Sequence, residues 1–215
     1  MKEIKLPHSM PDAPDAAELF ALAEREERTV EGVAIRGADL SDTRFDGLRL
    51  RGVLFENCRM TECRWQRADC ADVVFRSCDL SGSDWRDGYF ERVGFDASKA
   101  VGANFPESRW RQCALRDSRF DYAGFDRADL RDIAASNTDF SHASLTECTW
   151  KHVVLSEVRL CGASLFQTML AGIDLTGCDL EGIVVSDFNT ELRGAIVSPM
   201  QAVGLAKRLG IVIKE

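Results

Sequence analysis

The sequence is short of the features that announce chemistry. Its three histidines, His8, His142 and His152, are scattered, and none of HExxH, GxSxG or a glycine-rich phosphate loop occurs in the 215 residues. Five prolines and sixteen glycines are too few for a proline-rich or collagen-like chain. No apolar run approaches the ~20 residues of a membrane span. The opening MKEIKLPHSMPDAPDAAELF lacks the apolar stretch of a secretory peptide, so the chain reads as cytoplasmic. A basic surface free of acidic residues is lacking too: Arg44, Arg49, Arg51, Arg59 and Arg64 form a patch that acidic neighbours dilute. A formal net charge of −8 argues against a general nucleic-acid binder and allows attraction to a basic protein surface.

What is present is a period of five. From Ile35 to Val185 every fifth residue is apolar, 31 consecutive pentads without a slip. Neither the 3.6 period of a helix nor the 2 of a strand keeps phase over such a length. Two residues before each centre sits a small one, as at Ala38, Cys58, Ala68, Ala103, Ala123 and Ala163, with Leu48 a bulky departure. One large and one small inward residue in every five describe a narrow tube with a filled core. The other three positions are mostly Asp, Arg, Ser, Gly and Asn, which suit turns and water.

Six of the eight cysteines (Cys58, Cys63, Cys78, Cys113, Cys148 and Cys178) fall on the small inward position, Cys70 is a centre, and Cys161 alone faces outward. They read as small buried hydrophobes rather than as a disulfide framework or a metal site. His142 and His152 are two sides apart and point in opposite directions. No nucleophile, base and orienting group converge, and no cofactor or metal is expected; the chain reads as a binding protein, not an enzyme.

Closure of the tube at four sides does not follow from the period alone. The pentads ADL at 38–40, ANF at 103–105, ADL at 128–130 and ASL at 143–145 resemble the A(D/N)LXX consensus of the pentapeptide-repeat family, over about three quarters of the chain. That resemblance implies an all-β fold, a right-handed quadrilateral β-helix of 20 residues per coil. Stacking by twenties then gives four inward columns, aromatic in the early and middle coils and leucine-rich in the last ones.

The ends carry no repeat. Residues 1–29 form a lead-in that could hold a short helix over about Asp15–Glu27 or be disordered; 30–190 is the β-helix; 191–215 is a C-terminal cap. In that cap Ser198, Pro199 and Gly210 bracket a short helix over about 199–209. Val203, Ala206 and Leu209 on it, with Ile211 and Ile213 beyond, make an apolar surface that one helix cannot bury. They suit either a monomeric cap or, preferably, a two-fold homodimer joined at the C-terminus.

Charge is unevenly spread. Residues 31–119 hold 15 acidic and 15 basic side chains, whereas 120–185 hold 10 against 4. At ~4.8 Å per coil the acidic part carries one net charge about every 2.6 Å, against ~1.7 Å for duplex DNA. Asp121, Asp126, Asp129, Asp132 and Glu147 are the candidate partner-binding surface. The outward column Asp39, Arg59, Asp79, Lys99, Arg119, Asp139, Arg159 and Asp179 alternates in sign and is expected to pair across coils.

The segments VVFRSCDLSGSDWRDGYFERVGF at 73–95, TECTWKHVVLSEVRLCGASL at 146–165 and the ending RGAIVSPMQAVGLAKRLGIVI resemble the chromosomal quinolone-resistance pentapeptide proteins of Gram-positive bacteria. This resemblance implies a dimeric, DNA-mimicking rod whose partner is a type II topoisomerase, gyrase or topoisomerase IV, with protection from fluoroquinolones as a further consequence. The loops that interrupt the coils of Gram-negative relatives are absent between Ile35 and Val185. The competing expectation is an interaction scaffold with another protein partner.

Overall fold

The computed structural model describes residues 4–7, 9–13, 15–208 and 210–214; His8 and Leu209 lie outside the described residues. The chain winds into a right-handed parallel solenoid of about eight turns. Strand partners are twenty residues apart throughout, as in Thr29↔Arg49, Asp69↔Tyr89 and Asp129↔Thr149. Twenty residues close one coil of four sides, named here after their first centres: Ile35, Leu40, Phe45 and Leu50. The Leu50 and Ile35 sides form three-residue strands such as Arg49–Arg51 and Leu54–Glu56, which fuse around the corner in Asp129–Ser136 and Thr149–Ser156. The other two sides meet their neighbours through single bridges, such as Asp39↔Arg59 and Arg44↔Arg64.

A corner every five residues needs a sharp reversal. Every fifth residue from Gly32 to Gly172 has positive φ, and most are not glycine. The left-handed conformation costs an L-residue about 1–2 kcal/mol. The strain is held by the stack, because most corner amides bond a carbonyl of the next coil, as Asn57 does to Arg76 at 2.9 Å and Asp72 to Glu91 at 3.0 Å.

Inside, large centres stack on their copies one coil away. Phe55, Phe75 and Phe95 lie 4.9 and 5.0 Å apart by centroid, Trp65 and Trp85 4.9 Å, and Phe90 and Trp110 4.4 Å. Neighbouring columns meet edge to face, as Phe75 does with Trp85, the geometry that ring quadrupoles favour. The residue two before the centre is not uniformly small. On the Ile35 side it is Val53, Val73, Val93, Ile133, Val153 and Ile173, all buried. That side is regular strand, where β-branched residues pack well.

All eight cysteines are free, seven buried and Cys161 half-buried. Burial pushes the Cys113 and Cys148 thiols up to about 12, which leaves them inert. The small position has a further use beside tryptophan. Ser83 and Ser108 accept the indole N–H of Trp85 and Trp110 at 2.7 and 2.8 Å. Trp150, preceded by Cys148, has no partner for its buried indole N–H. It borders a cavity of ≈ 30 Å³ that the thin centre Ala135 leaves in the core.

Both ends are plugged. The N-terminal helix runs Ala16–Arg25, with Asp15 accepting the Glu18 amide as its cap. Its Phe20 is fully buried and meets Phe45 and Trp65 edge to face at 5.2 and 5.4 Å, closing the tube. Ahead of it, described residues between 4 and 13 run along the outside of the Ile35 side, which the repeat pattern does not suggest. Ile4, Leu6 and Met10 cover Ala34, Leu54 and Val74. The Lys5 amide reaches Asp72 at 2.9 Å, and Asp12 pairs with Ala34 as a partial coil.

At the other end the frame does not fade after Val185 but slips by two residues. Asp174 pairs with Ile196, 22 residues on, and Leu192, Ala195 and Val197 pack against the core. The slip is absorbed by Asn189 at φ 50 and a 3₁₀ turn over Thr190–Leu192. The turn carries Glu191, 1% exposed, whose carboxylate accepts the Gln167 and Ser186 amides at 2.9 and 3.1 Å and the Ser186 hydroxyl at 2.7 Å. In earlier coils the amide equivalent to Gln167 bonds a main-chain carbonyl, as Glu147 does to Phe166. Glu191 therefore substitutes for the missing next coil. The C-terminal helix, Pro199–Arg208, opens on a reciprocal box between Ser198 and Gln201, and Gln201 Nε2 donates to the Leu175 and Cys178 carbonyls at 2.7 Å.

Two predictions follow from this packing. Cys148→Ser gives Trp150 the acceptor that Ser108 gives Trp110, and is expected to raise unfolding free energy by about 0.5–1.5 kcal/mol in urea denaturation; a lower denaturation midpoint contradicts the pairing. For Glu191, burial favours the protonated form, but the hydrogen bonds from Gln167, its own amide and Ser186 prevail and hold the carboxyl at about 2, below its ordinary 4.5. Its stabilisation, on the order of 3 kcal/mol, is therefore fully present above pH 4.5 and lost as pH falls toward 2. Glu191→Ala is expected to lower the melting temperature at pH 7 and to flatten its acid dependence over that window; a melting curve parallel to wild type at every pH contradicts the plug.

Candidate functional site

The coil register decides which outward charges meet, since a side chain's neighbours lie about twenty residues away along the axis or two along the chain. In the early coils these positions alternate in sign. Glu56 sits between Arg36 and Arg76 at 3.0 and 3.1 Å, Asp72 meets Arg92 at 2.7 Å, and Arg64 meets Asp46 at 2.8 Å. Hydrogen bonds from Arg36 and then Arg76 lower the Glu56 carboxyl below its ordinary range. Each exposed pair contributes only tenths of a kcal/mol, but together they cancel the surface charge of this half.

The expected sign-alternating column behaves differently. Of its members only Asp139 and Arg159 pair, at 2.7 Å, while Arg119 turns to Asp121. The unpaired aspartates fold back onto the amide two residues on, Asp39 to Ser41, Asp79 to Ser81 and Asp179 to Glu181, at 3.0–3.1 Å. This local turn competes with the cross-coil ion pair and prevails.

Two of the five carboxylates expected to form the partner surface do not present free charge. Asp121 is buried, its side chain 10% exposed and bonded to Arg119 at 2.9 Å. Asp129 is held between Arg111 at 2.5 Å and Arg131 at 2.8 Å. Burial favours its neutral form, yet the hydrogen bonds from Arg131 and Arg111 prevail and lower its carboxyl. Asp132 lies 2.9 Å from His152 Nδ1. Asp126 takes a hydrogen bond from Ser144, and Glu147 is exposed; neither forms an ion pair among the described residues. The five also surround one region of the rod on several sides rather than lining one face.

Four carboxylates outside that set extend the free charge toward the C-terminus. Among the described residues Glu157, Asp174, Asp179 and Glu181 form no ion pair. The sequence holds the signal for this in its register. Twenty residues before Glu181 and Asp174 stand Cys161 and Val154, and the Arg159 before Asp179 is taken by Asp139. Beside them a groove of ≈ 530 Å³ follows the corner lined by Asp117, Arg119, Asp139, Glu157, Arg159 and Asp179. No group of His, Cys, Asp and Glu is placed to hold a metal among the described residues.

The apolar end stands next to this charge. The C-terminal helix has no buried residue. Val203 and Ile213 are 38% and 40% exposed, Ile211 is 51% exposed, and Ala206 is half-buried. Phe188 and Met200 add exposed surface at the same end. Leu209 lies outside the described residues.

A family model described as a pentapeptide repeat region matches residues 30–105, and a second, described as pentapeptide repeats, matches 99–132 and 151–182. Together these matches span more than half of the chain. The chain belongs to the pentapeptide-repeat family. Among curated proteins the sequence has no match. Among solved structures, a trypsin-treated form of QnrB1, a plasmid-mediated fluoroquinolone resistance protein, is similar at 19% identity with a TM-score of 0.43, covering 86% of this chain and 100% of that one. HetL, a pentapeptide repeat protein involved in heterocyst differentiation regulation from the cyanobacterium Nostoc, is similar at 16% identity and TM-score 0.40, covering 86% and 97%. Rfr23, from the cyanobacterium Cyanothece, gives 13% identity and TM-score 0.25, covering 85% and 100%. In this pentapeptide-repeat chain the repeat fixes the fold, and the outward residues must carry the function. No helix among the described residues is long and apolar enough to cross a membrane.

Proposed function

We propose that this pentapeptide-repeat protein is a DNA-mimicking binding protein of type II topoisomerases, gyrase or topoisomerase IV, and that it shields them from fluoroquinolones in the cytoplasm. The observation that carries the reading is the placement of uncompensated charge. Early coils balance their carboxylates with as many basic side chains and pair about half of them with arginine, whereas in the later coils, where acidic residues outnumber basic ones, Asp126, Glu147, Glu157, Asp174, Asp179 and Glu181 form no ion pair among the described residues. A stiff rod with carboxylates at axial spacings near those of phosphates suits a basic groove built for duplex DNA. The chain's likeness to the Gram-positive quinolone-resistance pentapeptide proteins points to the same class of partner.

The homodimer belongs to this reading. Two rods joined through Val203, Ala206, Leu209, Ile211 and Ile213 would cover the exposed apolar ends by a closed two-fold contact. They would also bring the two acidic segments together at the centre, with neutral arms outside. The binding role needs neither cofactor nor catalytic group, and a negative rod repels nucleic acid itself.

Supercoiling by purified gyrase, with and without ciprofloxacin, tests the proposal. The protein is expected to inhibit supercoiling at micromolar concentration and to reduce drug-stabilised cleavage, both weakening steeply with salt. Asp126→Lys with Glu147→Lys is expected to weaken inhibition about tenfold, and Asp42→Lys with Glu62→Lys in the early coils much less. No effect of the wild type on supercoiling, cleavage or drug sensitivity contradicts the reading.

A further inference from the structure

One corner of the acidic segment carries an aromatic ridge that packing does not require. Tyr122 is 62% exposed and adopts φ 60, a conformation that bulky residues rarely take. Its ring stacks on His142 one coil further on, with centroids 5.0 Å apart and planes at 17°. His142 in turn leans over the next corner, where a side chain on Gly162 would meet its Nδ1 at 2.5 Å. The ridge is thus supported on its C-terminal side.

On the other side it is open. The corner one coil earlier is Gly102, and a side chain placed there would meet nothing within 4 Å. The adjoining position on the Phe45 side is Gly124. Asn104 Oδ1 and Asp126 Oδ2 converge there, 3.0 and 3.7 Å from the point its Cβ would occupy. Two glycines therefore floor a slot with an aromatic wall on one side and two oxygen acceptors on the other. The arginines of the same coil on either side of it in the sequence are engaged elsewhere: Arg119 is bonded to Asp121 and Arg127 to Glu107, at 2.9 and 2.6 Å.

We propose that this slot, between the open face of Tyr122 and the oxygens of Asn104 and Asp126, receives an arginine side chain of a basic protein partner. A planar guanidinium can stack on the phenol ring while its N–H groups reach a carboxylate in the same plane. A lysine ammonium satisfies the carboxylate but gains less from the ring. Tyrosine and arginine are also the residues that most often dominate binding at interfaces. The inference rests on the topoisomerase reading for the identity of the partner but not for the chemistry of the slot.

Peptides separate the two. Fluorescence anisotropy of labelled hexa-arginine and hexalysine at low salt compares cations of equal charge. The wild type is expected to bind hexa-arginine about two- to fivefold more tightly than hexalysine. Tyr122→Ala is expected to bring that ratio to about one, Tyr122→Phe to preserve it, and Asp126→Asn to weaken both peptides. Tyr122 is exposed, so the melting temperature should hold in both Tyr122 variants and confirm that the fold is intact. Equal affinity of the wild type for both peptides, or a preference that survives Tyr122→Ala, overturns the slot. A protein that prefers arginine yet leaves gyrase untouched supports the slot and overturns the topoisomerase reading alone.

Discussion

Backbone hydrogen bonds between residues about twenty apart are the constraint on which everything else in this molecule depends. They hold each coil on the next, keep large centres above large centres, and oblige one residue in five to turn through the left-handed region. The aromatic ladders of Phe55, Phe75 and Phe95 or of Trp65 and Trp85 exist because the register never slips between Ile35 and Val185. Where it does slip, by two residues before Leu192, the solenoid ends, and a carboxylate takes the place of the carbonyls that another coil would have supplied.

The same register sorts the surface charge. An outward carboxylate is neutralised when an arginine stands about twenty residues away or two along the chain, and the early coils meet that condition repeatedly. Between Arg159 and Arg193 the chain has no arginine or lysine, while its carboxylates continue. The change from neutral to acidic surface is thus a consequence of which residues stack, not of composition alone. It places free charge beside the exposed apolar end.

The repeat, its inward residues and the burial of the cysteines were legible because each recurs with a fixed period. Other features were hidden because they break the period or depend on competing partners. Leu54 and Val74 occupy outward positions and are covered by Ile4, Leu6 and Met10, a contact between segments with no shared pattern. Leu192 and Val197 are centres in a shifted frame. Asp121 and Asp129 look like free surface charge until arginines two residues away are counted, and Asp79 looks like an ion-pair partner until the Ser81 amide is. Residue type read along one column is insufficient; the local turn and the neighbouring position in the chain decide the outcome.

The central claim is that outward residues stand in straight columns along a uniformly wound rod. Pulsed electron–electron resonance on nitroxide pairs in one column tests it directly, in a Cys161→Ser background that removes the half-exposed thiol. Pairs at Thr61 and Ser141 and at Ser41 and Ser141 span four and five coils, so the account expects backbone separations of about 19 and 24 Å, growing by ~4.8 Å for each twenty residues. Separations that fail to grow with coil number, or broad distributions at both pairs, would contradict the straight columns and the ordering of charge that depends on them.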